Sequence, residues 1–453
     1  MERIFNITEY GAVANAAELQ TKKIQDAIDA CFLAGGGEVV VPAGIFRTAT
    51  IRLRSHVTLR LLSGATLEGS TDPEDYTHFL EDTLEPIHVN EKEPNYGDKP
   101  LFFDVDPMAK NDGSQKKKSA TGNNPLSSPW YNSIIRAFDA EDIRIVGDKD
   151  SFIDGKNCFN PNGEEKYRGP HAINMFRCRN IEITGYTVRD SANWAHILFE
   201  CQNIFAHDLT VLAGHDGIHC RTCDNIVIED CDIYSGDDCI AGYDNQNMVI
   251  RRCVLDCACS AMRLGGTDIL VDSCRTHAPS RYGFRGSLSL EDRAASAPTN
   301  ETHRHTQHTP FLYFCNFPTK IRKTPGNILI QNCLFENPKA FFRLWFDGKH
   351  PWCENRSLDS ITFRNCRATN LTDPMEVLCP VDEPVHLRLE NVEISAKEGY
   401  GHVDFIRGLN FAEIILDHVT VKGYDKNIIR VQNPGKITLR DSSEVEIVTV
   451  DEL

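Results

Sequence analysis

No apolar run in this chain approaches the roughly 20 residues needed to cross a bilayer, so no membrane partner is expected. The first residues, MERIFNITEYGA, carry neither the basic region nor the apolar stretch of an export signal. Positive charge is in short supply. There are 48 Lys and Arg against 65 Asp and Glu, a formal net charge of −17, which excludes nucleic acid as a partner because phosphate contacts need a basic surface. Cysteine is plentiful, yet its count of 17 is odd. Without an export signal, that favours a reduced, cytoplasmic compartment over a disulfide framework.

What is present begins with length. A chain of 453 residues with 41% apolar and 25% charged residues is a folded protein of two or three ordinary domains, or one elongated repeat structure. One phrase recurs along it: a small polar residue, an alternating apolar stretch, two polar residues, and often cysteine. It appears as Asn180-Ile181-Glu182-Ile183 and Asn203-Ile204-Phe205. It closes at Cys231 after Asn225, at Cys253 after Asn247, at Cys274 after Asp268, at Cys333 after Asn327 and at Cys366 after Ser360. The steps from Asn180 are 23, 22, 22 and 21 residues. Period-two alternation with Gly, Asn and Asp turns makes each unit a set of short strands. Leucine-rich repeats lack this spacing and propeller blades are nearly twice as long. The expectation is an all-β fold, a parallel β-helix whose coils stack about 4.8 Å apart, over residues 1–453 as one domain.

The cysteines then fall at one inward-pointing coil position, as small apolar rungs. Cys220-x-x-Cys223 is read as part of that core in preference to a zinc pair. His303, His305 and His308 are read as a solvated loop in preference to a metal cluster, and no metal or cofactor is expected. Thr21 to Ala34 places Ile24, Ala27, Ile28 and Cys31 at helical spacing, and Gly35-Gly36-Gly37 stops it. That helix should cap the N-terminal end of the solenoid. Residues 77–130 and 277–322 break the period and are expected to be long loop insertions walling a cleft.

Counting thirteen residues on from Asn180, Asn203, Asn225 and Asn247 gives Asn193, Asp216, Asp238 and Ser260. Asp216 and Asp238 should therefore stack on adjacent coils, with Asp237 beside them. At about 5 Å and an effective dielectric near 20, two such charges repel by roughly 3 kcal/mol. Asparagine would build the same ladder without that repulsion. Each aspartate alone could simply satisfy turn amides. A stacked trio should instead raise at least one pKa, which is how a general acid is prepared near neutral pH.

The runs GHDGIH (214–219) and SGDDCI (235–240), in that order and at that separation, resemble the N-T-D-G and G-D-D-C motifs of glycoside hydrolase family 28, the polygalacturonases and their relatives. DSANWAH (190–196) is similar to the segment that lines that family's substrate cleft. GGGEVVVPAGIF (35–46) and SGATLEGSTDPEDY (63–76) are similar to its bacterial members, and the likeness runs over most of residues 5–275. The resemblance implies a right-handed parallel β-helix and an inverting hydrolase, in which Asp237 is the general acid while Asp216 and Asp238 hold and activate water. Inversion needs acid and base carboxyls roughly 6.5–9.5 Å apart.

The family pattern is changed at three places. The N-T before the first aspartate is Gly214-His215 here. The histidine that supports the acid falls on Ser260, with Arg263 or His215 as candidate replacements. The arginine and lysine that grip a substrate carboxylate fall on Arg285 and Ser287, which keeps the first and loses the second. That substitution, with the acidic balance of the chain, favours a neutral or only partly acidic glycoside over plain galacturonan. Trp194 would either stack on a sugar ring or sit in the core, and His196 divides the same way. The expected function is exo-acting, inverting hydrolysis of pectin-related oligosaccharides or polysaccharides. The alternatives are a polysaccharide lyase or epimerase on the same scaffold, and a non-catalytic glycan-binding protein.

Overall fold

Asn180, Asn203, Asn225 and Asn247, the residues that open the repeat, all adopt left-handed backbone, with φ between 55° and 56°. Asparagine tolerates that region better than other residues with a Cβ. Their side chains form a ladder. The Asn203 amide donates to Asn180 Oδ1 at 2.9 Å, Asn225 to Asn203 at 2.9 Å and Asn247 to Asn225 at 3.2 Å. A second ladder runs Asn391 to Asn365 to Asn332 to Asp272. Each asparagine thus turns the chain and ties its coil to the previous one.

The computed structural model describes residues 3–77, 129–294, 308–315, 321–350, 353 and 355–453. Its strands pair in parallel to form a right-handed parallel β-helix with three faces. One face stacks Ser133–Phe138, His171–Phe176, His196–Phe199, Ile218–Arg221 and the first half of Ile240–Arg251. The next stacks Glu141–Gly147, Arg179–Thr184, Gln202–His207, Asp224–Glu229 and the second half of that long strand. The third stacks Thr187–Arg189, Thr210–Ala213, Asp232–Ser235 and Val254–Cys257. Side chains pointing into the coil, such as Ile181, Ile204, Ile226 and Met248, are at most 2% exposed and build one continuous core. Inward residues of alternating strands are the only place this apolar surface can be removed from water.

The capping helix spans Thr21–Leu33, buries Ile24, Ala27, Ile28 and Cys31, and packs on the first strands of the solenoid. Gly35 and Gly36 follow with φ of 88° and 101°, backbone that stops a helix and suits glycine.

All 17 cysteines are free thiols, and every one but Cys259 is buried. They occupy more than the single coil position expected. Cys178, Cys201 and Cys223 each precede a strand of the second face, whereas Cys231, Cys253, Cys274, Cys333 and Cys366 each precede a strand of the third. The alternation repeats at two corners of the coil, so a small residue is needed at both. Cys220 and Cys223 are core residues.

His303 and His305 lie outside the described residues, but His308 is a correction to the solvated-loop reading. It is fully buried, with Nδ1 2.9 Å from Cys257 Sγ and Nε2 3.0 Å from Thr276 Oγ1. The 277–322 stretch is not loop throughout. Thr309–Tyr313 within it is a strand of the first face, paired with Ser260–Leu264. Of the 77–130 stretch, residues 78–128 lie outside the described residues.

Candidate active site

The register puts the carboxylates together. Ala195 N–H donates to the Asp216 carbonyl, Gly217 N–H to Asp238 and Cys239 N–H to Ser260, at 2.9, 2.9 and 3.0 Å. Asp216, Asp238 and Ser260 are therefore equivalent on three successive coils, as counted. Their counterpart one coil earlier is Trp194, not Asn193. Thr187 pairs with Thr210, 23 residues on, but His196 pairs with Ile218, 22 on. The turn between them is one residue longer in the earlier coil and shifts the count by one.

Gly236 lets the Asp237–Asp238 turn fit against its neighbours. A Cβ there would stand 2.5 Å from the carbonyl oxygens of both Gly214 and Gly283. The Ser235 hydroxyl pins the same turn, donating to the His215 carbonyl at 2.7 Å and accepting from Asp237 N–H at 3.0 Å.

One oxygen from each of Asp216, Asp237 and Asp238 lies within 4.8 Å of the others. That is tighter than the separation of carboxyl groups expected of an inverting pair, so distance alone does not assign the stereochemistry. The environments differ sharply. Asp216 is 0% and Asp238 2% exposed, and both are ion-paired to Arg263: Nε bonds Asp238 Oδ2, and Nη2 is 3.3 Å from Asp216 Oδ2. Ser260 N–H donates to Asp238 Oδ1 at 2.9 Å. The Asp237 side chain is 18% exposed and lies near Arg168, with Nη2 at 3.6 Å.

Burial raises all three carboxyl pKa values. For Asp216, Arg263 and Arg168 oppose the rise; for Asp238, Arg263 opposes it while the Asp216 charge adds to it. Asp237 is pushed well above the usual carboxylate range by burial and then by the charges of Asp216 and Asp238. Arg263 thus offsets the rise at Asp216 and Asp238, whereas Asp237, repelled by both, is the carboxyl pushed up furthest.

Arg263 is thus brought to the trio, and Ser260 contributes its backbone N–H. His215 is not brought there as a polar group. It is fully buried, its ring stacks on Tyr167 with centroids 5.5 Å apart, and neither nitrogen has a hydrogen-bond partner among the described residues. His196 is also fully buried, against Tyr186 Oη and the Gly217 carbonyl at 3.1 Å each. Trp194 is 6% exposed and lies flat on His219, with centroids 3.8 Å apart and planes 4° apart. Arg285 is 1% exposed and packs on Gly214. Its guanidinium donates to Asn157 Oδ1 at 3.0 Å and to the Arg293 carbonyl, and lies over Tyr167. It holds the 281–294 segment down rather than facing a ligand. Ser287, at the lysine position, turns its hydroxyl to the Phe284 carbonyl at 2.7 Å.

Two groups at the site carried no clear sequence signal. Arg168 sits in an irregular turn and joins Glu165, Asn193 and Asp237. His219 Nδ1 is 2.7 Å from Asp216 Oδ2. It lies within the GHDGIH run, but its spacing of three from Asp216 matches no strand face.

The stretch 129–260, which contains all three aspartates, matches the family model of glycosyl hydrolases family 28. An exo-poly-alpha-D-galacturonosidase of Dickeya chrysanthemi is 28% identical over 45% of this chain and 35% of its own length. A probable polygalacturonase of Vitis vinifera is 28% identical over 48% of the chain and 40% of its own. The chain therefore spans little more than a third of the length of these curated relatives. A family 28 exopolygalacturonase of Yersinia enterocolitica has the same fold, with a TM-score of 0.63 at 16% identity over 97% of this chain and 78% of its own. The aspartate trio lies inside the stretch that matches the family 28 model.

Proposed function

We propose that the protein is an inverting, exo-acting hydrolase of glycosidic bonds in pectin-derived oligosaccharides or polysaccharides. The observation that carries this reading is the asymmetry of the trio: Arg263 neutralises Asp216 and Asp238, whereas the partly exposed Asp237 keeps a raised pKa. Asp237 gives its proton to the leaving-group oxygen as the C1–O bond breaks. Water, held by Asp216 and Asp238, attacks C1 from the opposite face and loses its proton to that pair. Exo action and a pectin-related substrate are supported by the names of the relatives. The absence of a lysine at Ser287 and the burial of Arg285 favour a sugar less acidic than galacturonate at the site of cleavage. Free buried thiols suit a reduced, cytoplasmic setting.

The test is hydrolysis of a panel of pectin-derived oligosaccharides, with the first-released anomer followed by NMR. Inverted product from the chain end is expected, and Asp237→Asn should reduce kcat at least about 10²-fold while keeping the wild-type melting temperature, since general acid catalysis contributes about 10²–10⁴-fold. Retained configuration would overturn inversion. An unsaturated product absorbing in the ultraviolet would make the protein a lyase, and binding without turnover a glycan-binding protein.

A further inference from the structure

His219 lies beside the trio in a chain of contacts whose donors and acceptors admit only one arrangement. The Arg221 Nε–H points at His219 Nε2 at 2.8 Å, and the other ring nitrogen, Nδ1, is 2.7 Å from Asp216 Oδ2. Arginine has donors and no acceptor, so Nε2 must be the unprotonated nitrogen. The ring proton is then on Nδ1, and it is donated to Asp216. A protonated Asp216 donating to Nδ1 would require Nε2–H to face Arg221 Nε–H, two donors against each other. Trp194 stacked on the imidazole and Arg221 held over the Trp194, Phe199 and Tyr243 rings fix the plane and the height of the ring. Both His219 and Arg221 are buried, at 0% and 3% exposure.

We propose that His219 is a positioning residue for Asp216, locked by Arg221 as the Nδ1–H tautomer so that Asp216 stays ionised and turned toward the attacking water. Oδ2 of Asp216 takes the His219 proton and the Arg263 contact, whereas Oδ1 accepts only the long 3.4 Å bond from Asp238 N–H among the described residues. Oδ1 is accordingly the oxygen with a lone pair for water. The same arrangement gives Trp194 a role as the clamp on the imidazole in place of a sugar platform. The charged groups facing Asp216 are Asp237 and Asp238 from the next coil, Arg263 from the one after, and Arg168 and Arg221. His219 is a neutral side-chain donor beside these charges, and its loss removes a hydrogen bond without changing the net charge.

This inference rests on the hydrolase reading, and its test separates the two. His219→Asn keeps an N–H where Nδ1–H stood, and His219→Phe keeps the stack on Trp194 but no donor. In the phenylalanine variant kcat is expected to fall roughly 10–100-fold, the scale of losing an outer partner of a functional group, with KM changed less than about threefold. The acid limb of the kcat/KM profile should move to higher pH, and His219→Asn should recover most of both. A folded His219→Phe enzyme with wild-type kcat and pH profile would overturn the proposal. A second readout needs no turnover. ¹⁵N NMR of histidine-labelled protein, with His219 assigned by its loss in the variant, should show a protonated Nδ1 and an unprotonated Nε2 from pH 5 to 8. A doubly protonated ring or the opposite tautomer would overturn it. Inactivity of the wild type on every glycan would instead sink the hydrolase reading and leave the NMR result to decide the tautomer.

Discussion

Arg263 Nη2 lies 3.3 Å from Asp216 Oδ2, although the two residues are 47 positions and two coils apart. The same guanidinium is bonded to Asp238 on the coil between. A single cation thus spans three rungs, from the strand that begins at Ser260, where the histidine was expected. It is why two carboxylates can be buried side by side.

Removing that cation should be costly. Arg263→Ala leaves two buried charges unpaired, a change of about 3–5 kcal/mol, with a lower melting temperature at pH 7. Loss of the guanidinium raises the folded-state pKa of both aspartates, so the deficit should shrink as pH falls and they take up protons. Thermal denaturation at pH 5 and pH 7 measures this, and equal deficits at both would contradict it. Arg263→Lys, with one point charge and no fork, should recover only part.

Arg168 is ion-paired with the proposed acid. It lowers the Asp237 pKa against burial and the two neighbouring carboxylates. In Arg168→Gln the acid should keep its proton to higher pH, and the alkaline limb of the kcat/KM profile should move upward. An alkaline limb that stays in place or moves down would remove Arg168 from the site's electrostatics.

Acid lability follows from the buried histidines. Burial pushes His171 and His308 down to about 3 and His196 to about 4, and His215 well below its ordinary value. The unfolded chain takes up these protons near pH 6.5 and the folded chain does not. Stability is therefore full above about pH 6.5 and is lost as pH falls toward 4, by roughly 1.4 kcal/mol per pH unit per histidine. Urea midpoints between pH 7 and pH 4.5 should drop steeply, and a flat profile would refute the assignment of neutral buried rings.

The asparagine ladder makes a backbone prediction. Asn225 combines φ of 56° with hydrogen bonds to both neighbouring rungs. Asn225→Gly loses the hydrogen bonds and keeps the conformation, at about 1 kcal/mol. Asn225→Ala adds the left-handed strain, for a total of about 2 kcal/mol or more. Equal melting temperatures for the two variants would mean the conformation contributes nothing.

The fold was legible because a β-helix writes its period into the chain. Asparagine at the left-handed turn and small thiols at the corners recur every coil, so spacing alone revealed the solenoid and the stacking of Asp216 on Asp238. The count failed at Asn193, where one extra turn residue leaves no mark in composition but moves Trp194 into register. It also failed to show the second cysteine column, because both corners use the same residue type.

Burial and partnership were decided only by the tertiary structure. Sequence offered His215, His196, Trp194, Arg263 and Arg285 as equals near the aspartates. Packing turned His215 and His196 into core residues, spent Arg285 on Asn157 and the Arg293 carbonyl, and laid Trp194 on His219. Arg263 alone among them reached the carboxylates. The sequence by itself determined a reduced-thiol solenoid with three aspartates on adjacent coils, since those depend on local period and residue type. Which cations reach which aspartates depends on contacts between residues 22 to 69 positions apart, and only the closed coil brings those together.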